Sequence, residues 1–154
     1  MKILQNHYVL AVHKIRESAK FYVDILGFQV VHEDSSWIFV GRDSCMIMLG
    51  ECPDDMHPSQ LGCHNYFAYL RVDNVDAFHA ELEVKGVTPL DIVADKPWGM
   101  REFGIKTPDG HRIMLGQEIT DSQRKAERPN RRLQPTKARR RKVLKRTTRP
   151  RLRG

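Results

Sequence analysis

The chain has 154 residues, of which 40% are hydrophobic, and this composition suits a soluble globular protein. Its apolar runs fall short of the roughly 18 residues that a membrane-spanning helix needs, and the N-terminus turns polar too early for a signal peptide, so we expect a cytoplasmic protein without a membrane partner. The net charge of +7 is divided unevenly, because residues 121–154 hold 15 Lys and Arg against 2 Asp and Glu, whereas residues 1–120 hold 11 against 17. The overall basic charge therefore says nothing about the partners of the acidic first part.

The first 120 residues predict the same order of elements twice. A strand rich in β-branched and aromatic residues is followed by apolar residues at helical spacing and then by three more strands. Gly27 and Gly86 stand where a helix end needs a left-handed residue, Asp73-Asn74 is a capping signal, and Pro108-Asp109-Gly110 is typical of a tight turn. The predicted strands are His7–Val12, Phe28–Glu33, Trp37–Gly41, Cys45–Leu49, Tyr66–Val72, Thr88–Val93, Arg101–Lys106 and Arg112–Gln117, with helices opening at Ile15 and Val75.

A short repeat supports this duplication. The sequence Ile-Met-Leu-Gly occurs at 47–50 and again at 113–116, an offset of 66 residues. Val12-x-x-Ile15 is matched by Val72-x-x-Val75 at an offset of 60. Since both matches occur in the same order within similar patterns, we interpret them as two copies of one module. The modules are predicted at 3–50 and 63–118, with a linker at 51–62.

The composition changes at Thr120, after which aromatic residues are absent and Arg, Lys and Pro dominate. Such a segment cannot bury enough apolar surface to offset the entropy lost on ordering, so we predict one domain over 1–120 and a disordered basic tail over 121–154. The tail has three interpretations: non-specific binding of nucleic acid through phosphates, a targeting address, or an extension without selected function. It lacks aromatic residues for stacking on bases, and we favour the third.

Two segments resemble the vicinal-oxygen-chelate superfamily, which includes glyoxalases, extradiol dioxygenases and bleomycin-resistance proteins. Residues 12–22 followed by Leu26-Gly27-Phe28 are similar to its first helix. Residues 97–103, Pro-Trp-Gly-Met-Arg-Glu-Phe, followed by Thr-Pro-Asp-Gly at 107–110, look like bleomycin-resistance-type members. The resemblance covers 3–118 and implies an α+β fold, in which the mixed sheets of two βαβββ modules curl into a cup. It also implies a homodimer with pockets between the subunits.

The resemblance further implies where a metal would bind. Metal-dependent members carry His or Gln, Glu, His and Glu on the first and last strands of the two modules, and these positions fall here on His7, Met48, Phe67 and Met114. Phe67 has no donor atom, and thioethers are too soft for Zn²⁺, Mg²⁺ or Fe²⁺. A single His is also too few, because a catalytic ion usually needs three protein ligands. We therefore predict no metal site, no cofactor and no catalytic residue.

An apolar cup remains, and we interpret it as a pocket for a small organic ligand. Met side chains repack around varied ligands and aromatic rings stack on flat ones, although packing in the core or a dimer interface is the alternative for each. Arg101 and Glu102 are adjacent on a strand, so at most one enters the cup, and a solvated outer charge is the alternative. His7 is a metal-site remnant, a proton-transfer group or a hydrogen-bonded core residue. The predicted ligand-binding residues are His7, Trp37, Phe39, Met48, Phe67, Trp98, Arg101, Phe103 and Met114.

These observations favour a non-enzymatic protein that binds a small molecule, similar to bleomycin-resistance proteins that sequester an antibiotic. The acidic charge of residues 1–120 favours cationic, flat aromatic ligands. The alternative is a metal-dependent lyase or dioxygenase of the glyoxalase type that uses His7, with His64 and Glu102 as further ligands.

Overall fold

Eight strands and two α-helices follow one another along residues 1–120, the part of the chain that this computed structural model describes. The predicted disordered tail at 121–154, with its nucleic-acid contact, lies outside the described residues. Within residues 1–120, no helix combines the length and the apolar character that crossing a membrane requires.

Each module contains a strand, a helix and three further strands. Two short 3-10 turns, Pro58–Gln60 and Gly62–Asn65, form part of the connection between the modules. The first module comprises β1 (Tyr8–Val12), α1 (Ile15–Lys20), a π-helical turn (Phe21–Ile25), β2 (Gln29–Glu33), β3 (Trp37–Arg42) and β4 (Cys45–Glu51). The second comprises β5 (Tyr66–Arg71), α2 (Val75–Val84), β6 (Ala94–Asp95), β7 (Met100–Lys106) and β8 (Arg112–Glu118).

The strands form two four-stranded mixed sheets, in the orders β1-β4-β3-β2 and β5-β8-β7-β6. In each sheet the strand that comes first in the chain pairs in parallel with the one that comes fourth, so β1 pairs with β4 and β5 with β8. The other neighbouring strands pair antiparallel. The register repeats as well, because Val9 pairs with Met48 and Tyr69 pairs with Met114. These pairs keep the offsets of 60 and 66 residues that the sequence showed. The prediction of an α+β fold built from two βαβββ modules is thus confirmed.

Apolar residues at helical spacing form the buried side of the first helical segment. Ile15, Ala19 and Tyr22 are all buried, as is Leu26 after the π-helical turn. Asn74 caps α2, where its side-chain Oδ1 accepts a hydrogen bond from the backbone N–H of Ala77 at 3.0 Å. The capping and periodicity signals therefore located both helices correctly.

The predicted strand Thr88–Val93 is wrong. The N–H of Leu90 does donate to the carbonyl of Gly104 at 2.8 Å, but the N–H of Gly104 donates to the side-chain Oδ1 of Asp91 at 2.6 Å. A side-chain carboxylate thus occupies the place of the next ladder bond, and Pro89 has no N–H to offer. Regular pairing with β7 begins only at the two-residue strand β6.

Each sheet packs one face against the helices and leaves the other face uncovered by any part of residues 1–120. Along β4, Ile47 and Leu49 are buried in the core, whereas Met48 between them is partly exposed. Along β8, Ile113 and Leu115 are buried and Met114 is partly exposed in the same way. Because side chains alternate between faces, Met48 and Met114 mark the uncovered side, which we call the open face of each sheet.

Contacts around the β7–β8 turn hold the two modules together. The buried Ser18 Oγ of α1 donates to Asp109 Oδ2 at 2.7 Å, and the ring Nε2 of His111 lies 3.1 Å from the carbonyl oxygen of Ala11 in β1. The rings of Tyr8 and Phe67, from the first strand of each module, meet edge-on at 5.6 Å. The relative position of the two sheets is therefore fixed by buried contacts within one chain.

Candidate ligand-binding site

The open face of the first sheet carries a row of aromatic and thioether side chains. Trp37 and Phe39 lie on β3 with their ring centroids 6.2 Å apart, and Phe39 pairs with Met48 of β4. The ring of Trp37 lies across Gly50, where a Cβ would come within 3.0 Å of two ring atoms. His32 extends the row, since its ring centroid is 4.9 Å from that of Phe39. The structure therefore brings Trp37, Phe39 and Met48 together on one surface.

The open face of the second sheet holds a shallow depression of about 380 Å³. A β-bulge between Tyr66 and Ala68 places Phe67 at its edge, where the ring also contacts Tyr8. Tyr66 is stacked with the guanidinium of Arg112, which lies 5.2 Å from the ring centroid. The depression is lined by Tyr66, Phe67, Ala68, Tyr69 and Met114. Phe67 and Met114 are thus close together, as the sequence predicted, and Tyr66 and Tyr69 join them.

A polar centre lies beside this depression. Tyr69 Oη donates a hydrogen bond to Glu102 Oε2 at 2.7 Å, and Trp98 Nε1 donates to the same oxygen at 3.3 Å. The side chain of Tyr69 lies directly over Gly116 and so reaches Glu102. A Cβ at position 116 would collide with the phenolic oxygen. Desolvation of the hydroxyl raises the pKa of Tyr69, and the neighbouring Glu102 raises it further, because a phenolate beside a carboxylate is unfavourable. Tyr69 therefore stays protonated and donates to the carboxylate.

Two predicted site residues lie on the other side of the second sheet. Arg101 binds Asp76 of α2 through Nη2 at 2.8 Å and Asp95 of β6 through Nη1 at 2.8 Å. Phe103 is 0% exposed, and its ring meets that of His79 in α2 edge-on at 4.8 Å. Both side chains therefore face α2, and of the adjacent pair Arg101 and Glu102 it is the glutamate that reaches the open face.

Glu102 is not among the predicted ligand-binding residues, and its strand pairing places it at the open face. Trp37 pairs with Gly50 on β4, and Glu102 pairs with Gly116 on β8. Gly50 and Gly116 are the last residues of the repeated Ile-Met-Leu-Gly, so Glu102 occupies the position that Trp37 holds in the first module. Tyr69 was missed because its counterpart, Val9, carries no group that suggests binding.

The four positions that the resemblance assigns to metal ligands do not fit a divalent ion. His7 is exposed and precedes β1, outside the strand ladder. Met48, Phe67 and Met114 supply two thioethers and a phenyl ring, which are poor ligands for Zn²⁺ or Fe²⁺. Throughout residues 1–120, no three His, Cys, Asp or Glu side chains gather closely enough to hold a metal. The donor set thus differs from that of metal-dependent members.

Arg101→Ala is expected to raise the pKa of Asp76 toward the ordinary aspartate value. Hydrogen bonds from Arg101 hold this pKa below its usual range, so the associated stability is present above the unfolded pKa of about 4. That stability is lost as the pH falls through the lowered pKa that Asp76 has in the folded protein. The stability of Arg101→Ala should not depend on acid pH in this way. An NMR titration of the Asp76 carboxyl measures the change.

Arg71→Ala is the matched control, because Arg71 pairs at 2.7 Å with the exposed Glu118 and not with Asp76. It should leave the pKa of Asp76 unchanged. A loss of ligand affinity in Arg101→Ala with no change at Asp76 would restore Arg101 as a binding residue.

Comparison with known proteins agrees with this architecture. The model of the Glyoxalase/Bleomycin resistance protein/Dioxygenase superfamily matches residues 4–115, and the chain belongs to this superfamily. Among characterised relatives, the bleomycin resistance proteins of Geobacillus stearothermophilus and Staphylococcus aureus are each 26% identical over 130 residues. These matches cover 76% of this chain and 98% of each relative.

Solved structures give the same result. TnmS3, an antibiotic binding protein from Streptomyces sp. CB03234, is similar with a TM-score of 0.62 and 26% identity, over 77% of this chain and 99% of that one. The bleomycin-binding protein from Streptomyces verticillus, solved with copper(II)-bleomycin, has a TM-score of 0.58 and 24% identity, over 79% of this chain and 99% of that one. The latter likeness concerns the fold.

Proposed function

We propose that this chain binds a small organic molecule of the antibiotic type on its open faces and sequesters it without chemical change. The family supports this, since relatives at 26% identity include bleomycin resistance proteins and an antibiotic binding protein. The proposed binding residues are those that lie on the open faces: Trp37, Phe39, Met48, Tyr66, Phe67, Tyr69, Trp98, Glu102 and Met114.

One observation carries the proposal: aromatic rings and thioethers occupy the open faces, and several of them remain uncovered. Trp37 is 36% exposed, Tyr69 is 41% exposed and Trp98 is 66% exposed. Large apolar side chains that cluster at the surface commonly mark a binding site, because their exposure to water otherwise costs free energy. Rings at these positions suit a flat ligand, and methionines adapt to its outline.

We further propose that two chains meet around the ligand as a homodimer. The depression on the second sheet is shallow, and its volume of about 380 Å³ is near the lower end of the ~300–1,000 Å³ typical of ligand pockets. The first sheet presents its own aromatic surface, which requires a cover as well. A second chain that faces these surfaces would enclose the ligand and bury both.

Isothermal titration calorimetry with bleomycin and with flat aromatic cations tests the proposal. We expect saturable binding in the presence of EDTA, together with a dimeric mass in sedimentation equilibrium. The absence of binding to every compound, with the open faces filled by side chains of the protein itself, would contradict it. Stoichiometric Ni²⁺, Zn²⁺ or Fe²⁺ bound through His7 would instead support the metal-dependent alternative.

A further inference from the structure

We propose that Glu102 recognises the charge of the ligand, by binding a cationic nitrogen group while the flat part of the molecule lies against Tyr69 and Trp98. This inference rests on the proposed function and adds to it the residue that selects the ligand class. The ligand is accordingly an aromatic molecule that carries a protonated amine, a guanidinium or a quaternary nitrogen.

The first argument is the burial of Glu102 without an ionic partner. The residue is only 5% exposed, although a glutamate is almost never fully buried unless it is paired. The ion pairs found among residues 1–120 do not include Glu102. Burying an unpaired carboxylate costs free energy, which a cation of the ligand would offset.

The second argument is that the hydrogen-bonding partners orient the carboxylate and carry no charge themselves. Tyr69 Oη and Trp98 Nε1 both donate to Oε2, and both are neutral groups. These bonds hold Glu102 in one position beside the two rings. Aromatic faces attract cations themselves, so a cationic group at this point meets a carboxylate and ring surfaces together.

The third argument concerns the nearby arginines, each of which is engaged elsewhere. Arg112 is stacked on Tyr66 at 5.2 Å, and Arg71 pairs with Glu118 at 2.7 Å. Arg101 is adjacent in sequence but faces α2, where Asp76 and Asp95 bind it. Within the described residues, no basic side chain forms an ion pair with Glu102, so a cationic group of the ligand would meet an unpaired carboxylate.

Access to Glu102 passes through Trp98. This residue lies in the turn between β6 and β7, next to Gly99, whose φ of 87° is in the left-handed region. Its side chain is 66% exposed and donates to the carboxylate through Nε1. A ligand that displaces this exposed ring would free one acceptor position on Glu102 for its own cationic group.

A pair of probes that differ in charge and little in shape tests the inference: N-methylacridinium, a permanent cation, and acridine, which is uncharged at neutral pH. The full 154-residue chain should bind the cation about tenfold or more tightly than acridine. Glu102→Gln keeps the shape and an acceptor oxygen but removes the charge, so it should abolish the preference for the cation over acridine.

Glu118→Gln is the matched control, because it removes the same charge from an exposed position on the second sheet. The control should keep the preference of the wild type. A preference retained in Glu102→Gln would overturn the inference while the binding function stands, whereas a wild type that binds neither probe nor bleomycin would overturn both.

Glu102→Asp provides a second variant in case the glutamine variant does not fold. It keeps the charge but withdraws the carboxylate by one methylene group from the rings. We expect the preference for N-methylacridinium over acridine to be smaller than in the wild type. Equal affinity of the aspartate variant and the wild type for the cation would overturn the inference.

Discussion

Replacing Phe103 by alanine is expected to lower the free energy of unfolding by about 3–5 kcal/mol. The side chain is 0% exposed and packs between the second sheet and α2, where it meets the ring of His79. Its removal leaves a cavity that the surrounding strands and helix can refill only in part, and the lost contacts add to the lost apolar burial. Urea denaturation followed by circular dichroism measures the change.

Phe103→Leu separates stability from binding at the same position. Leucine keeps most of the apolar burial that alanine loses, so this variant should lose less stability than Phe103→Ala and remain folded. Because Phe103 faces α2 and not the open face, its affinity for bleomycin should equal that of the wild type. Weaker binding at unchanged stability would contradict this placement and return Phe103 to the binding residues.

Replacing Gly116 by alanine is expected to break the hydrogen bond between Tyr69 and Glu102 and to lower the free energy of unfolding by about 1–3 kcal/mol. The new Cβ would lie 1.9 Å from Tyr69 Oη and 2.6 Å from Cζ, so the ring must leave its position. Glu102 then loses the closer of its two donors. The pKa of Tyr69, which desolvation and Glu102 raise, should fall toward the ordinary tyrosine value.

Alkaline titration followed by ultraviolet absorbance measures this pKa, and Tyr69→Phe identifies which tyrosine has changed. Gly41→Ala is the control, because its Cβ would meet Val31 at 3.4 Å, an ordinary contact distance on the first sheet. That variant should differ little from the wild type in stability. An unaltered Tyr69 titration in Gly116→Ala would show that the ring does not cross Gly116.

The sequence predicted the duplicated fold well because the signals for it are local. Helical periodicity, the cap at Asn74 and the turn at Pro108-Asp109-Gly110 each depend on a few neighbouring residues. Thr88–Val93 was misassigned because its β-branched residues favour a strand, whereas the side chain of Asp91 competes for the N–H of Gly104. That competition depends on a residue 13 positions away, and local propensity does not show it.

The candidate site was predicted in part, for a similar reason. Met48 and Met114 followed from the repeat, and Trp37 and Phe39 were chosen for their aromatic rings. The structure places all four on the open faces. Residue type could not predict which of Arg101 and Glu102 lies on the open face, since both side chains are charged. Only the pairing of Glu102 with Gly116 decides which of them faces α2.

The two tryptophans of the chain, Trp37 and Trp98, give the most direct test of the proposed binding site. Trp37 lies on the open face of the first sheet, and Trp98 lies beside that of the second. Trp37→Phe and Trp98→Phe each leave a single fluorescent reporter. Bleomycin titrated into either variant should change the emission of the remaining tryptophan, with a midpoint that agrees with calorimetry. Calorimetric binding that leaves the emission of both reporters unchanged would place the ligand elsewhere and contradict a binding site on the open faces.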